Sequence, residues 1–144
     1  MRVYLDNCSF NRPFDDQSQP RIRLETEAKL CIQDSVQAGT LELAWSYVLD
    51  FENTANPFDD RRIAIDPWKG QATVDAGETD ELLQTAKELA SLGLKSKDAL
   101  HIACAMASSA DYFVTTDDRI LNHNAEVHGI EIVDPTVLVR RLNP

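Results

Sequence analysis

The sequence predicts an α/β protein in which helices cover both faces of a mostly parallel sheet. Short apolar runs typical of buried strands alternate along the chain with longer segments of helical periodicity. The connections between successive strands are long enough for the helical crossovers that parallel strands require. We therefore expect a three-layer α/β/α sandwich.

The first half of the chain is predicted to contain two strands, each followed by a helix. Strand 2–6 leads through a polar loop into a helix over about 21–37, which ends near Gly39, a typical residue at a helix C-terminus. A second strand is expected over 41–44. Ser46 is then placed to cap the helix that follows, because its side chain can accept a hydrogen bond from the first turn.

The second half repeats the alternation after an irregular stretch. Segment 54–77 has weak helical patterning interrupted by prolines and glycines, which predicts one or two short helices and a loop. An apolar stripe from Leu82 to Ala90 predicts an amphipathic helix that is closed by Gly93. The elements expected after it are a buried helix that carries Asp98, strand 112–115, strand 130–133 and a terminal helix after Pro135.

Length and composition indicate one domain over residues 1–144. A chain of 144 residues that is 43% hydrophobic can bury one core. The three cysteines, Cys8, Cys31 and Cys104, are an odd number without Cys-x-x-Cys spacing, so neither a disulfide framework nor a zinc site is expected. No signal peptide and no run of about 20 apolar residues is recognisable, so we expect a cytoplasmic protein without a membrane span.

Four carboxylates stand at positions typical of a binding site. Asp6 ends the first strand and Asp117 follows strand 112–115, and parallel strands direct such residues towards the same edge of the sheet. Glu52 lies on the apolar stripe of the helix after Ser46, and Asp98 lies in the first turn of its helix. The four acids are therefore expected to converge.

Each acid alone has a structural explanation, as a helix cap, as a partner of a helix dipole or in an ion pair with arginine. Together the four have a different consequence. Carboxylates gathered in one partly buried crevice repel each other and are poorly solvated, and a hard divalent cation with oxygen ligands resolves both problems.

The sequence resembles a PIN domain in four blocks that follow each other in the expected order and spacing. These blocks are Tyr4-Leu5-Asp6-Asn7, Glu52 in a helix, the segment from Asp98 to Ala105, and Val114-Thr115-Thr116-Asp117. The resemblance covers nearly the whole chain, and the Asp98 block and the Thr-x-Asp block are its specific parts. It implies the same α/β/α sandwich and a small metal-dependent nuclease; many bacterial PIN domains are ribonuclease toxins of toxin-antitoxin pairs.

The resemblance also implies a site and partners. Asp6, Glu52, Asp98 and Asp117 are expected to hold one or two Mg²⁺ or Mn²⁺ ions, which activate water for attack on an RNA phosphodiester. Thr115 is expected to bond a carboxylate or the attacking water, with a half-buried strand residue as the equal alternative. The implied partners are an RNA substrate, a small antitoxin that covers the acidic crevice, and a second copy of the chain.

Alternatives remain for two of the acids and for the function. Asp50 or Glu42 could take the place of Glu52, and Asp118 is the rival of Asp117. A metal-dependent phosphatase and a non-catalytic module that binds RNA or protein are the competing functions. The net charge of −10 disfavours non-specific binding to nucleic acid, so a nuclease of this composition is expected to be selective or weak.

Other residues near the motifs are expected to play minor parts. His101 is predicted to be a packed histidine with a hydrogen-bond partner, and Cys8 a small filler. Asn7 is predicted to begin a turn. The cations that flank the acidic motifs are expected to be solvated surface residues, and they are Arg12, Lys95, Lys97 and Arg119.

Overall fold

A five-stranded sheet, parallel at every strand pairing, forms the centre of the computed structural model, which describes residues 1–143. The strands are β1 (Arg2–Leu5), β2 (Glu42–Ser46), β3 (Val74–Ala76), β4 (Tyr112–Val114) and β5 (Glu131–Val133). Their spatial order is β3-β2-β1-β4-β5, which places β1 in the middle of the sheet. The predicted α/β class with a parallel sheet is confirmed.

Eight α-helices flank this sheet within the described residues. They are α1 (Asn7–Asn11), α2 (Pro20–Gln37), α3 (Tyr47–Thr54), α4 (Asp59–Ile65), α5 (Asp80–Ala90), α6 (Ser96–Ala107), α7 (Asp118–Leu121) and α8 (Pro135–Leu142). Helix α2 contacts α8, and α5 contacts α6. Consecutive residues of β1, whose side chains point to opposite faces, are fully buried, so helices cover the central strand on both sides.

The structure confirms two predictions, one for the C-terminal end of α2 and one for the start of α3. Gly39 follows α2 with a φ of +77°, a left-handed conformation that glycine adopts without a steric penalty. Ser46 caps α3, and its hydroxyl oxygen accepts a hydrogen bond from the Leu49 N–H at 3.3 Å. This cap fixes the direction in which α3 leaves the sheet.

Three short elements, α1, β3 and the four-residue α7, were not expected from the sequence. Helix α1 begins directly after β1 in a segment predicted to be a polar loop, and β3 lies in the irregular segment 54–77. Helix α1 has only five residues and β3 only three, so neither shows a full period of apolar residues. Strand β3 is also an edge strand with only partly buried or exposed residues, which removes the usual apolar signal.

The register of the sheet aligns the ends of the strands that matter for the site. Leu5 of β1 pairs with Val114 of β4, and Tyr4 pairs with Ala44 of β2. The chain therefore leaves β1, β2 and β4 at the same edge, where Asp6 and Thr115 directly follow Leu5 and Val114. Within the described residues, no helix has the length and apolar character needed to cross a membrane.

Candidate active site

A cleft of about 350 Å³ lies at the carboxyl edge of the sheet, and all four predicted acids line it. They come from four separate elements of the fold, namely the end of β1, helix α3, the first turn of α6 and the turn after β4. They are Asp6, Glu52, Asp98 and Asp117. A fifth acid that sequence reasoning missed, Asp15, also lines the cleft.

Asp6 is deeply placed in the cleft, with 4% of its surface exposed. It caps the short helix α1, because its Oδ1 accepts hydrogen bonds from the Ser9 N–H at 3.0 Å and from the Cys8 Sγ–H at 2.8 Å. Burial raises the pKa of the Asp6 carboxyl, and the hydrogen bonds from Cys8, Thr115 and Ser9 oppose this effect. Asp6 therefore caps helix α1 and also lines the cleft.

Asp98 experiences the charge of the other acids directly. Burial raises its pKa first, and the carboxylates of Asp117 and Asp6 raise it further by repulsion. His101 and Arg119 act in the opposite direction. This mutual repulsion shows that three of the predicted acids lie close enough to interact electrostatically across one cleft.

Asp117 caps α7 and pairs with a neighbouring arginine. Its Oδ1 accepts the Arg119 backbone N–H at 2.9 Å, and its Oδ2 lies 3.3 Å from Nη2 of the Arg119 side chain. Arg119 is largely exposed, so this ion pair is weak and can open without a large loss of stability. Asp117 thus combines the capping role considered from the sequence with a position in the cleft.

Glu52 is held by a chain of buried hydrogen bonds. Its Oε1 lies 2.6 Å from Nε2 of His101, and Nδ1 of the same ring lies 2.7 Å from the Tyr4 hydroxyl. The Tyr4 hydroxyl in turn lies 2.7 Å from the Ser46 hydroxyl, which caps α3, the helix that carries Glu52. The expectation that His101 is a packed histidine with a hydrogen-bond partner is confirmed, although His101 also lines the cleft.

The Glu52 carboxylate fixes the direction of the first of these hydrogen bonds. An ionised carboxylate only accepts, so Nε2 of His101 donates to Glu52. When the imidazole is neutral, Nδ1 accepts from the Tyr4 hydroxyl and the Ser46 hydroxyl donates to the Tyr4 oxygen; when it is protonated, both of these directions reverse. Burial raises the pKa of Tyr4 well above its usual value, which keeps this hydroxyl protonated and able to donate.

Thr115 lies behind the cleft, where its hydroxyl interacts with the Asp6 carboxylate, one of the two contacts expected for it. The residue is fully buried and is not among the residues that line the cleft. Its Oγ1 accepts the Asp117 N–H at 3.1 Å, and its hydroxyl is one of the groups that lower the pKa of Asp6. Thr115 is therefore a positioning residue beneath two of the acids.

The rival acids lie elsewhere. Asp50 accepts a hydrogen bond from the Trp45 indole at 2.9 Å and pairs with Lys69, and Glu42 pairs with Arg2 at the opposite end of β2. Asp118 forms two hydrogen bonds with Arg21 at 2.7 and 2.8 Å. None of these three acids lines the cleft, whereas Glu52 and Asp117 do.

The small residues around Asp6 have structural roles. Cys8 lines the cleft, but burial and the nearby Asp6 carboxylate raise the pKa of its thiol, which disfavours a nucleophilic thiolate. Asn7 begins α1, and its carbonyl oxygen accepts from the Asn11 amide at 2.8 Å. The flanking cations differ from one another: Arg12 and Arg119 form ion pairs, whereas Lys97 lines the cleft and no ion pair to it occurs within residues 1–143.

The donor set fits a divalent cation that keeps part of its water shell. Within the part of the chain that the structure describes, no three His, Cys, Asp or Glu side chains form a ready-made metal cage. Mg²⁺ commonly binds through one or two carboxylates and retains several waters, and oxygen ligands suit both Mg²⁺ and Mn²⁺. A cation in the cleft would also relieve the repulsion that raises the pKa of Asp98.

Comparison with known proteins supports the fold. The sequence matches no protein-family model and no curated protein. A solved structure of VapBC2 from Rickettsia felis, bound to a DNA fragment from their promoter, is similar with a TM-score of 0.55 and 12% sequence identity. The similarity covers 92% of this chain and 97% of the other chain. With its five-stranded parallel sheet flanked by helices, the protein therefore has a PIN-like fold.

Proposed function

We propose that this protein is a metal-dependent endoribonuclease that hydrolyses RNA phosphodiester bonds. The observation that carries the proposal is the convergence of Asp6, Glu52, Asp98 and Asp117, from four separate elements, in one cleft at the carboxyl edge of the sheet. A bound Mg²⁺ or Mn²⁺ would supply water activation and stabilise the charge that develops on the leaving oxygen. The PIN-like fold and the resemblance of the four sequence motifs to those of PIN domains support this assignment.

The four acids are not equally available for the ion. Glu52 is engaged by His101, and Asp117 is engaged by Arg119. Asp6 and Asp98 have no cationic partner within 4 Å in the described chain, and they are the residues that we propose for direct contact. Glu52 and Asp117 would then act through water, as partners that orient the hydration shell.

The biological role that we propose is the toxin of a toxin-antitoxin pair. The similar solved structure is VapBC2 bound to promoter DNA, and the sequence motifs resemble PIN domains, many of which are such toxins. A small antitoxin protein is the partner expected on this basis. Its binding surface would include the acidic cleft, where a basic side chain could replace the cation.

Cleavage of an RNA panel by purified protein tests the activity. Single-stranded and hairpin RNAs are incubated with Mg²⁺, Mn²⁺ or a chelator, and the products are resolved by size. We expect cutting that needs the metal and is reduced by at least about 100-fold in Asp6→Asn and Asp98→Asn, since both remove a charge from the ion site.

A matched control separates the site from a general loss of surface charge. Asp118→Asn changes the residue beside Asp117 but not the cleft, and it should cut within about threefold of the wild type. Equal loss in Asp118→Asn and Asp98→Asn would contradict the site. Turnover of a generic phosphate monoester with indifference to RNA would point to the phosphatase, and absence of metal binding would point to a non-catalytic module.

A further inference from the structure

A second groove opens from the acidic cleft towards helices α3 and α4. This side groove has a volume of about 300 Å³ and shares four lining residues with the cleft, namely Asn7, Asn11, Glu52 and Lys97. Its remaining wall carries Phe51, Phe58 and Arg61. The two cavities are therefore adjacent, and a chain molecule held in the cleft lies close enough to reach the side groove.

Two phenylalanines of the side groove are exposed. Phe51 is 66% exposed on α3, next to Glu52, and Phe58 is 53% exposed at the start of α4. Neither ring belongs to the core cluster of the protein. Exposed aromatic rings beside a charged cleft are available for stacking with a planar ligand.

The Phe58 ring is held in place from one side. The Arg61 guanidinium lies 4.7 Å from the ring centroid and also donates to the Phe14 carbonyl at 3.0 Å. The Phe58 backbone N–H donates to the Asn56 Oδ1 at 3.1 Å, and the Asn56 amide donates to Asn11 at 3.2 Å. The ring is thus preorganised, which lowers the entropy lost when a ligand binds.

Charge at the junction of the two cavities favours an anion. Lys97 lines both the cleft and the side groove, and within residues 1–143 it forms no salt bridge. In a protein with a net charge of −10, an unpaired lysine at this point attracts a phosphate that has come to the cleft.

We propose that the side groove binds an unpaired nucleotide of RNA next to the phosphodiester held in the acidic cleft. Its base stacks on Phe58 and Phe51, and Lys97 contacts the linking phosphate. A duplex cannot bind in this way, because a paired and stacked base offers no free face to the phenylalanines. The location beside the cutting point rests on the proposed nuclease function, whereas the binding itself is measured without cleavage.

Fluorescence anisotropy with labelled single-stranded RNA dodecamers tests the binding. The wild type and the variants are titrated in Ca²⁺, which is used here to permit binding without turnover. Phe58→Ala should bind about tenfold more weakly, as expected for the loss of one base–aromatic stack. Ile63→Ala is the matched control, because Ile63 is 69% exposed on the same helix α4 but does not line the side groove.

The phosphate contact has its own control. Lys97→Gln should weaken binding. It should also reduce the magnitude of the slope of log affinity against log salt concentration by about 1, as expected for the loss of one phosphate contact. Lys87→Gln removes an exposed lysine of α5, away from both cavities, and should leave the slope unchanged. Equal slopes for the two lysine variants would overturn the role of Lys97.

An abasic nucleotide distinguishes stacking from general loss of affinity. An abasic position in the RNA should weaken binding to the wild type and cause little further loss in Phe58→Ala, because the same contact is already missing. Wild-type affinity in Phe58→Ala and Phe51→Ala would overturn the proposal. So would a change from dimer to monomer in Phe58→Ala with unchanged RNA affinity, since the surface would then be a protein interface.

The same samples separate this proposal from the proposed activity. RNA binding that depends on Phe58, without cleavage in Mg²⁺ or Mn²⁺, would support the side groove and contradict the nuclease. Metal-dependent cleavage with equal affinity in the wild type and both phenylalanine variants would support the nuclease and contradict the side groove.

Discussion

The hydrogen bonds that run from Ser46 through Tyr4 to His101 fix the Glu52 side chain before any ligand binds. All three hydroxyl or imidazole groups are buried, so each hydrogen bond replaces one that water would otherwise provide. The sequence indicated that Glu52 faces the core and needs a partner. It did not indicate which one, because His101 lies on another helix 49 positions away along the chain.

Tyr4→Phe should destabilise the protein by about 1–3 kcal/mol, because it leaves buried partners of the Tyr4 hydroxyl without a hydrogen bond. Tyr47→Phe is the matched control, since the Tyr47 hydroxyl contacts Glu78 at the exposed surface, and it should cost less than about 0.5 kcal/mol. Urea unfolding followed by circular dichroism measures both differences. Equal values for the two variants would show that the buried network adds nothing to stability.

Asp98 and Asp118 should respond to pH with opposite signs. The pKa of Asp98 is raised by burial and by its acidic neighbours, so its ionisation opposes folding, and this penalty grows as pH rises above the ordinary value of 3.8. In chelator at pH 7, Asp98→Asn should therefore be more stable than the wild type, and the difference should vanish at low pH.

The pKa of Asp118 is lowered by its hydrogen bonds to Arg21, so its ionised form favours folding, and that stability is lost as pH falls through the lowered pKa. Asp118→Asn should be less stable than the wild type at pH 7 and should approach it in acid. Thermal unfolding from pH 3 to pH 8 measures both variants. A loss of stability at pH 7 in Asp98→Asn would contradict the repulsion inferred for the cleft.

At the scale of secondary-structure elements, the capping residues of short helices determine where the acids point. Asp6 caps α1, Asp117 caps α7, and Ser46 caps the helix that carries Glu52. Helices α1 and α7 have only five and four residues, so these turns depend on their caps rather than on helical propensity. A residue that caps such a turn is therefore also held in a defined direction at the cleft.

Ser46→Ala should lower both stability and metal affinity, whereas Thr79→Ala should lower stability alone. Ser46 caps α3 and Thr79 caps α5. The loss of a helix cap lowers the free energy of unfolding by about 1 kcal/mol. Only Ser46 also contacts Tyr4 in the network behind Glu52. Urea unfolding and calorimetric titration with Mn²⁺ test the pair; unchanged Mn²⁺ affinity in Ser46→Ala would separate the network from the ion site.

The sequence predicted the long elements and the four acids because both leave local signals. Helix α5 carries an apolar stripe, α6 is apolar nearly all round, and β1 and β4 are apolar runs followed by an acid or a hydroxyl. Strand β3 and the partner of Glu52 were not predictable in this way, because β3 has no fully buried residue and a long-range contact leaves no local pattern. Asp15 was missed for the same reason, since a turn of the loop brings it to the cleft.

At the scale of the whole molecule, the ion binding proposed for the acidic cleft would be linked to folding. The convergence of carboxylates is unfavourable without a cation, and a ligand that binds only the folded state stabilises that state. The stability of the purified protein should therefore depend on the divalent ion in its buffer. This dependence provides a test that does not require an assay of activity.

Mn²⁺ at about 100 times its dissociation constant should add about 2.7 kcal/mol to the free energy of unfolding. For a protein of this size, that corresponds to an increase in Tm of roughly 5–10 °C. Differential scanning calorimetry in Mn²⁺, in NaCl of equal ionic strength and in chelator measures the effect. The shift should disappear in Asp6→Asn, and an equal shift in NaCl would indicate charge screening rather than a site.

The central position of β1 determines when the acidic cleft can assemble during synthesis. Val3 pairs with Leu43 on one side and with Tyr112 on the other, so the middle of the sheet stays incomplete until β4 has left the ribosome. Asp117, which follows β4, emerges at nearly the same moment. A nascent chain therefore lacks an assembled cleft for most of its translation, and the four acids come together only when synthesis is nearly complete.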